Sequence, residues 1–423
     1  MTTVREQPAG ATGPQARGRT FAALSHTRYR MLFFVGLLSF LAVQIQMIAR
    51  GWLAYELTGS NSGLGGVYLG FGIPMLLATP WGGVAADRIS KRRVLIAALI
   101  LLAITSFWIG AGVEFHFVRY WMLVAASSLQ GVAFAFLGPA RMAFTGELVP
   151  REDLPNAVVL GQMSLNSTRI IGPAVAGVLI GAAATGTAWA YFLSFGIIVV
   201  SIVIAVVYLP PGLAATGRPV RTPLAEMADG VRYVRSRPEL SLLVVTSFMV
   251  VMIAFPYIAF LPDLSDRIFN AGSAGYGALS AVSAVGALSA SLFIASRAGG
   301  GGAWRFQARA GFLFGAGVLL LGAAPTFLLA LPVVLVVGAA ASVFQSMNNS
   351  LVLSLADLEY HGRVQSLMML SFSGFGMAAL PLGILADTIG LRRTLGAMGF
   401  VTLITMTVYQ VVRNRRTRGT RFD

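Results

Sequence analysis

Apolar residues run along most of the chain in unbroken stretches of about twenty, instead of alternating or recurring on one helical face. Such a stretch, coiled as a helix, crosses a hydrocarbon core of about 30 Å. Twelve are expected, at 32–54, 63–85, 94–113, 118–138, 157–183, 188–209, 241–261, 274–296, 306–324, 327–347, 364–386 and 392–412. Backbone groups in lipid must be satisfied within their own segment, so the spans are read as helices; the short alternating segments of a membrane barrel are missing. The start of the last span is the least defined, because Arg392 and Arg393 stand at its head. Residues 1–30 are polar, with Gly, Pro and Arg, and lack the pattern of a cleaved signal peptide. They read as a cytoplasmic tail, at least partly disordered.

The one long internal connection, 210–240, opens with Pro210-Pro211-Gly212. Thr222-Pro223 then looks like a helix cap followed by proline at the first helical position. Leu224, Met227, Val231 and Val234 fall near one face, and Glu226 and Asp229 precede Arg232, Arg235 and Arg237, an order that suits the helix dipole. Pro238 is expected to end this helix. An amphipathic basic helix lying on the inner leaflet is predicted. The resulting organisation is a tail (1–30), a six-helix bundle (31–209), a cytoplasmic linker (210–240), a second six-helix bundle (241–412) and a basic tail (413–423). Gly83-Val-Ala-Ala-Asp87-Arg88 is echoed by Gly383-Ile-Leu-Ala-Asp387-Thr388, each closing one span before the next, as duplicated helical units would produce.

Composition removes the soluble, multidomain reading that 423 residues would otherwise invite. Hydrophobic residues make up 56% and charged residues 11%, and the mean hydropathy is +0.76. A net charge of +15 suggests nucleic acid until the basic residues are placed. The termini and even-numbered loops, with the adjoining span heads, hold 25 of the 31 Lys and Arg; the odd-numbered loops hold Arg119, Arg267, Arg392 and Arg393. Positive residues stay cytoplasmic, so both termini are expected inside and no nucleic-acid partner is expected. With no cysteine and only His26, His116 and His361, all outside the spans, neither a thiolate metal site nor an intramembrane histidine relay is available. HExxH and GxxxxGK[ST] are missing as well, so no enzyme, cofactor or ATP-driven step is expected within the chain.

Two six-helix halves, a basic central linker and Gly83-x-x-x-Asp87-Arg88-x-x-Lys91-Arg92 between spans two and three resemble the major facilitator superfamily, over about residues 20–412. Trp52-Leu-Ala-Tyr-Glu56-Leu-Thr-Gly-Ser60, Pro139-Ala-Arg141 with Glu147-Leu-Val-Pro150, and Gly230-Val-Arg-Tyr-Val-Arg235 look like the subgroup of the enterobactin exporter and macrolide-type efflux proteins. The resemblance implies an all-α inner-membrane transporter, working by alternating access and driven by protons. In similar transporters the loop motif latches the halves on the inner side; Gly83, Asp87, Arg88 and Arg92 take that role here, with Arg141 as a neighbour and Gly362-Arg363 as the partner end. Ser90 replaces the usual glycine.

Charge within the bilayer costs several kcal/mol, so Arg50 and Arg169 point to a wet or protein-lined cavity. Ser39, Gln46 and Arg50 lie near one face of span one, and Gln162, Asn166 and Arg169 on span five; Ser127 and Gln130 add a polar face to span four, and Ser342, Gln345 and Asn349 to span ten. Tyr257, beside Pro256, is the candidate in span seven. Spans one, four, seven and ten line the cavity in similar transporters. The plain alternative is interhelical bridging without substrate contact. No carboxylate falls mid-span: either Glu56 or Glu114, toward the outer face, reaches into the outward cavity as the proton-coupling group, or coupling is weak, or the substrate carries the charge. Two arginines without an acid favour anionic or neutral polar ligands. Gly172-Pro173-Ala-Val-Ala-Gly177 resembles the exporter signature of this superfamily. Export of a drug-like compound or a siderophore by a monomeric protein is the expected function. Alternatives are import of a small polar or anionic metabolite and a non-transporting membrane sensor or partner protein.

Overall fold

The computed structural model describes residues 21–150, 152–181, 186–212, 223–295, 303–357 and 360–419. After a 3-10 turn at Ala22–Ser25 come α1 (Thr27–Thr58), α2 (Asn61–Arg88), α3 (Lys91–Glu114), α4 (Tyr120–Leu148), α5 (Leu154–Gly181) and α6 (Gly186–Tyr208). The linker helix is α7 (Pro223–Ser236). Then follow α8 (Pro238–Ile253), α9 (Gly272–Ala295), α10 (Ala303–Ala323), α11 (Phe327–Leu355), α12 (His361–Ile389) and α13 (Leu391–Gly419). Ten of the described helical segments are long and apolar enough to cross a membrane; α9 and α12 are not among them.

Local chemistry fixes several boundaries. Gly59, in the left-handed region at φ 59°, ends α1, and the Ser60 hydroxyl accepts from Gly63 N–H to open α2. Pro223 is the first residue of α7, as the linker sequence predicts, while Thr222 lies outside the described residues. Pro238 does more than stop α7: it takes the first position of α8, where its missing N–H costs nothing. Arg392 clarifies the start of the last helix. Its Nη1 reaches back to Ala324 O at 2.7 Å, satisfying the end of α10 from the first turn of α13.

Two expectations change. α4 continues to Leu148 instead of 138, and α11 to Leu355 instead of 347. Hydropathy registers only the lipid-facing part of a helix whose backbone ladder runs on past it. The seventh span is not one helix. After α8 the chain passes through a 3-10 segment at Phe255–Phe260, a single turn at Leu261–Asp263 and a π turn at Leu264–Ile268. Pro256 and Pro262 each remove a donor and crowd the preceding turn, which breaks the regular ladder.

The helices cross between two faces. One carries α7, the ends of α2, α4 and α11 and the starts of α3, α5 and α12, and is called the near face; the other is the far face. The α7 helix is docked at the near face by a layered contact. Tyr233 stacks on Tyr360 at 3.9 Å between centroids, with Arg237 over Tyr233 and Arg363 over Tyr360. Arg363 pairs with Asp229 at 2.7 Å and Arg237 with Asp357 at 2.5 Å. Toward the far face α2 packs along α12 and α5 along α9.

Candidate functional site

Arg50 lies eight residues before the end of α1, about 12 Å along the helix axis, and is 4% exposed. Its Nη1 donates to Ser127 Oγ at 3.0 Å and to Gln130 Oε1 at 2.5 Å, both on α4. Gln130 Nε2 donates to Gln46 Oε1 at 3.5 Å, so one turn of α1 and one of α4 share a single polar layer. The Tyr191 phenol of α6 stands beside the guanidinium without meeting hydrogen-bond geometry. Arg50 Nε and Nη2 and Gln46 Nε2 have no acceptor among the described residues, and no carboxylate pairs with the cation. A guanidinium carries five donors in a rigid fork suited to carboxylate and phosphate. Held buried with only one nitrogen satisfied, it is an acceptor-seeking cation in a low-dielectric setting.

Arg169 is exposed on α5. At 100° per residue it stands about opposite Ile171 and Val178, which are 47% and 70% exposed and form the apolar, lipid-type face of that helix. Its exposed side therefore turns to the interior. Asn166, and Gln162 beside it, have side chains outside the described residues. Gln345 is half-buried on α11 with Oε1 unpartnered, and Ser342 shares a hydrogen bond with Ser291 at 2.9 Å. Tyr257 is 1% exposed in the broken segment; its hydroxyl meets Ser283 at 3.1 Å and its ring packs on Phe314. Glu56 and Glu114 are exposed at the far ends of α1 and α3. Gly172 and Gly177 each make a close approach: a Cβ would sit 2.3 Å from Gln44 Cβ at the first and 2.7 Å from Gly277 O at the second. Pro173 lies inside α5 between them.

The loop-motif residues distribute over the near face. Gly83 and Asp87 fall on the last turns of α2 with side chains outside the described residues, and Arg88 is exposed. Arg92 reaches the Val206 carbonyl, and Ser90 the Pro211 carbonyl. Lys91 pairs with Glu147 at 2.5 Å. Arg363, at the expected partner end, pairs with the linker helix as described. Arg141 lies deeper, against Phe40 and Gly36 of α1.

A second constellation closes the far face. Asp387, in the last turn of α12, accepts from Asn61 N–H and Ser62 N–H, both at 2.8 Å, on the first turn of α2. An anion there also meets the positive end of the helix dipole. Asn61 Nδ2 donates to Asp263 Oδ2 at 2.8 Å, and the fully buried Asp263 accepts from Arg267 Nε at 2.6 Å. Tyr55 OH donates to Asp266 at 3.2 Å. Tyr276 OH donates to Ile48 O at 3.1 Å and its ring stacks on Trp52. Donors from the first two helices thus meet carboxylates from the second half of the chain. Sequence reasoning did not assign these residues, although the echo ending in Asp387 and the prolines flanking the broken segment were both visible signals.

Comparison with known proteins agrees with this architecture. Residues 18–420 match the family model described as "Transmembrane secretion effector". The chain is 25% identical over 404 residues to the staphyloferrin A transporter of Staphylococcus aureus, covering 92% of this chain and 96% of that one. It is 26% identical over 397 residues to the multidrug efflux pump Tap of Mycolicibacterium fortuitum, covering 88% and 93%. Among solved structures, an inward-facing bacterial homologue of the lysosomal transporter Spinster superposes with a TM-score of 0.70 at 13% identity, covering 92% and 96%. The human organic anion transporter MFSD10 superposes with a TM-score of 0.65 at 16% identity, covering 90% and 98%. These two show the fold. The chain belongs to the transmembrane secretion effector family: it is a multi-pass major facilitator transporter of the efflux type, of the bacterial inner membrane, and not an enzyme.

Proposed function

We propose that this protein exports a small anionic or neutral polar compound, a drug-like molecule or a siderophore, by alternating access coupled to the proton gradient. Counting α9 and α12 with the ten apolar spans gives twelve crossings in two six-helix bundles, 31–209 and 241–412. The basic bias of the near face makes it the cytoplasmic one, with the tails and the linker there. The observation that carries the reading is Arg50: a buried cation in the far half of α1, with no carboxylate and no acceptor for Nε and Nη2 among the described residues. Gln46, Gln130 and the inward-turned Arg169 extend this polar surface, and Asn166, Tyr257 and Gln345 are assigned to the same cavity from the sequence. The staphyloferrin A and multidrug relatives support the two substrate classes.

The far-face lock fits a state closed to the exterior. The near-face latch of Gly83, Asp87, Arg88 and Arg92 is assigned to the opposite state. For coupling, buried Asp263 at the lock is better placed than the exposed Glu56 and Glu114, because its charge bears directly on closure. One protein molecule is sufficient for this mechanism.

The test is flux in proteoliposomes with an imposed pH gradient, using carboxyfluorescein, a macrolide and ethidium. Gradient-driven movement of the anion or the macrolide away from the near face, lost in Arg50→Gln, is the expected result. Movement toward the near face would make the protein an importer. Flux largest for ethidium and indifferent to Arg50→Gln would overturn the substrate class, and no flux of any compound would favour a sensor.

A further inference from the structure

Between α1, α4 and α5 at the near face lies a small cavity of about 30 Å³, walled by Tyr29, Phe33, Arg141, Thr145, Val158 and Gly161 among others. Arg141 reaches it along α1. A Cβ at Gly36 would fall 2.8 Å from Arg141 Nη1, so the missing side chain there gives the guanidinium its channel. The Phe40 ring supports Cζ at 4.9 Å. Apolar contacts hold this cation; among the described residues no carboxylate lies within 4.0 Å of it and no acceptor takes its N–H groups. Tyr29 is already committed, donating to Ala157 O at 2.7 Å, and Thr145 donates to Arg141 O. The donors of Arg141 are therefore the unspent polar groups of the cavity.

The direction in which the cavity opens limits what can enter it. Val158 and Met142, 39% and 52% exposed, form its rim. On α5, Val158 stands about 140° to 160° from Ile171 and Val178, away from the lipid-type face. The cavity thus opens to the interior side at the near face. Gly36 precedes Arg50 by fourteen residues of α1, about 21 Å. Gly172 packs on Gln44, which puts Arg169 at a height between the two.

We propose that Arg141 is an entry station for the anionic group, carboxylate or phosphate, of the transported compound, which it binds from the cytoplasmic side before transfer toward Arg169 and Arg50. This assignment rests on the anion-transport reading above, but its test needs no flux. The sequence has no cysteine, so Val158→Cys is a unique reporter on the cavity rim. Inside-out vesicles of phosphatidylcholine are labelled with the anionic 2-sulfonatoethyl and the cationic 2-(trimethylammonium)ethyl methanethiosulfonates. A cation focused by low-dielectric walls raises local anion concentration by about tenfold or more. The anion-to-cation rate ratio, normalised to a free thiol, is expected to exceed one by about that factor. It should collapse in Arg141→Gln and survive in Arg141→Lys, and citrate should protect the thiol only where the charge remains. A ratio near one, or one untouched by Arg141→Gln, overturns the station. Protection that appears only when phosphatidylglycerol is added assigns the site to a lipid headgroup and also overturns it. Intact charge-dependent labelling without any flux would instead count against the transport reading alone.

Discussion

Replacing Arg50 by glutamine separates a cation kept for a ligand from one kept for the fold. The substitution removes two charge-assisted hydrogen bonds, to Ser127 and Gln130, each worth about 1.5–3 kcal/mol. It also removes a buried charge whose desolvation costs several kcal/mol, and relieves Nε and Nη2, each unmet donor costing about 1–3 kcal/mol. The relief offsets or exceeds the loss, so the unliganded protein should lose no more than about 1 kcal/mol of stability. Loss of a partner from a buried structural ion pair would instead cost about 3–5 kcal/mol. The assay is reversible unfolding in detergent, with and without citrate. A ligand at a hundred times its Kd stabilises by about 2.7 kcal/mol, and that increment should vanish in Arg50→Gln. A loss above about 3 kcal/mol without ligand, or an undiminished response to citrate, would refute the ligand role.

The far-face lock makes its own prediction. Asp387→Ala removes three hydrogen bonds to Asn61 and Ser62 at a solvent-exposed carboxylate. Discounted for screening, this is about 1–2 kcal/mol, or roughly a five- to thirtyfold shift toward the far-open state. Spin labels at Leu57→Cys and Thr388→Cys should report longer distances, and an unchanged distribution would contradict the lock. Gly277→Ala sets a methyl 2.3 Å from Gly177 O; the same labels should show partial far-face opening, whereas wild-type distances would mean that α5 and α9 need not approach. Tyr233→Ala removes the stack on Tyr360, the cation contact from Arg237 and the acceptor for Asp357 N–H, about 1–3 kcal/mol together. Trypsin added to inside-out vesicles should then cut at Arg232 and Arg235 about fivefold faster or more, and equal rates would mean that α7 is held by other contacts.

Much of the fold follows from one-dimensional information because lipid imposes it locally. A stretch of twenty apolar residues must be a helix wherever it lies, so the helix positions were legible, as were Pro223 opening α7 and Arg50 needing protein or water around it. The broken seventh span was less so. Pro256 and Pro262 signal a disturbance, but whether the chain kinks or unwinds depends on what neighbours supply for the freed carbonyls. Gln46 and Arg50 were paired by helical spacing, and Gln130 by the polar face of its own helix. Tyr191 was not: it meets Arg50 from α6, and no periodicity connects residues 141 positions apart. The far-face lock joins Asn61 and Asp387, at the ends of two helices, with Asp263 of the broken segment, places where a single sequence gives a polar residue no reason beyond water contact. For Arg141 the sequence offers a neighbour of the latch but not the direction of the side chain, which Gly36 and Phe40, remote in sequence, turn along α1.

The most direct measurement of the anion site is the position of a transported carboxylate carrying a bromine or iodine label, located by its scattering in the protein closed at the far face. Its carboxylate should lie within hydrogen-bond distance of Arg50 Nε and Nη2, bounded by Gln46 and Gln130, with Tyr191 completing the pocket. Density for the compound elsewhere, with Arg50 still without an acceptor and with an unchanged Kd in Arg50→Gln, would contradict the role assigned to this cation.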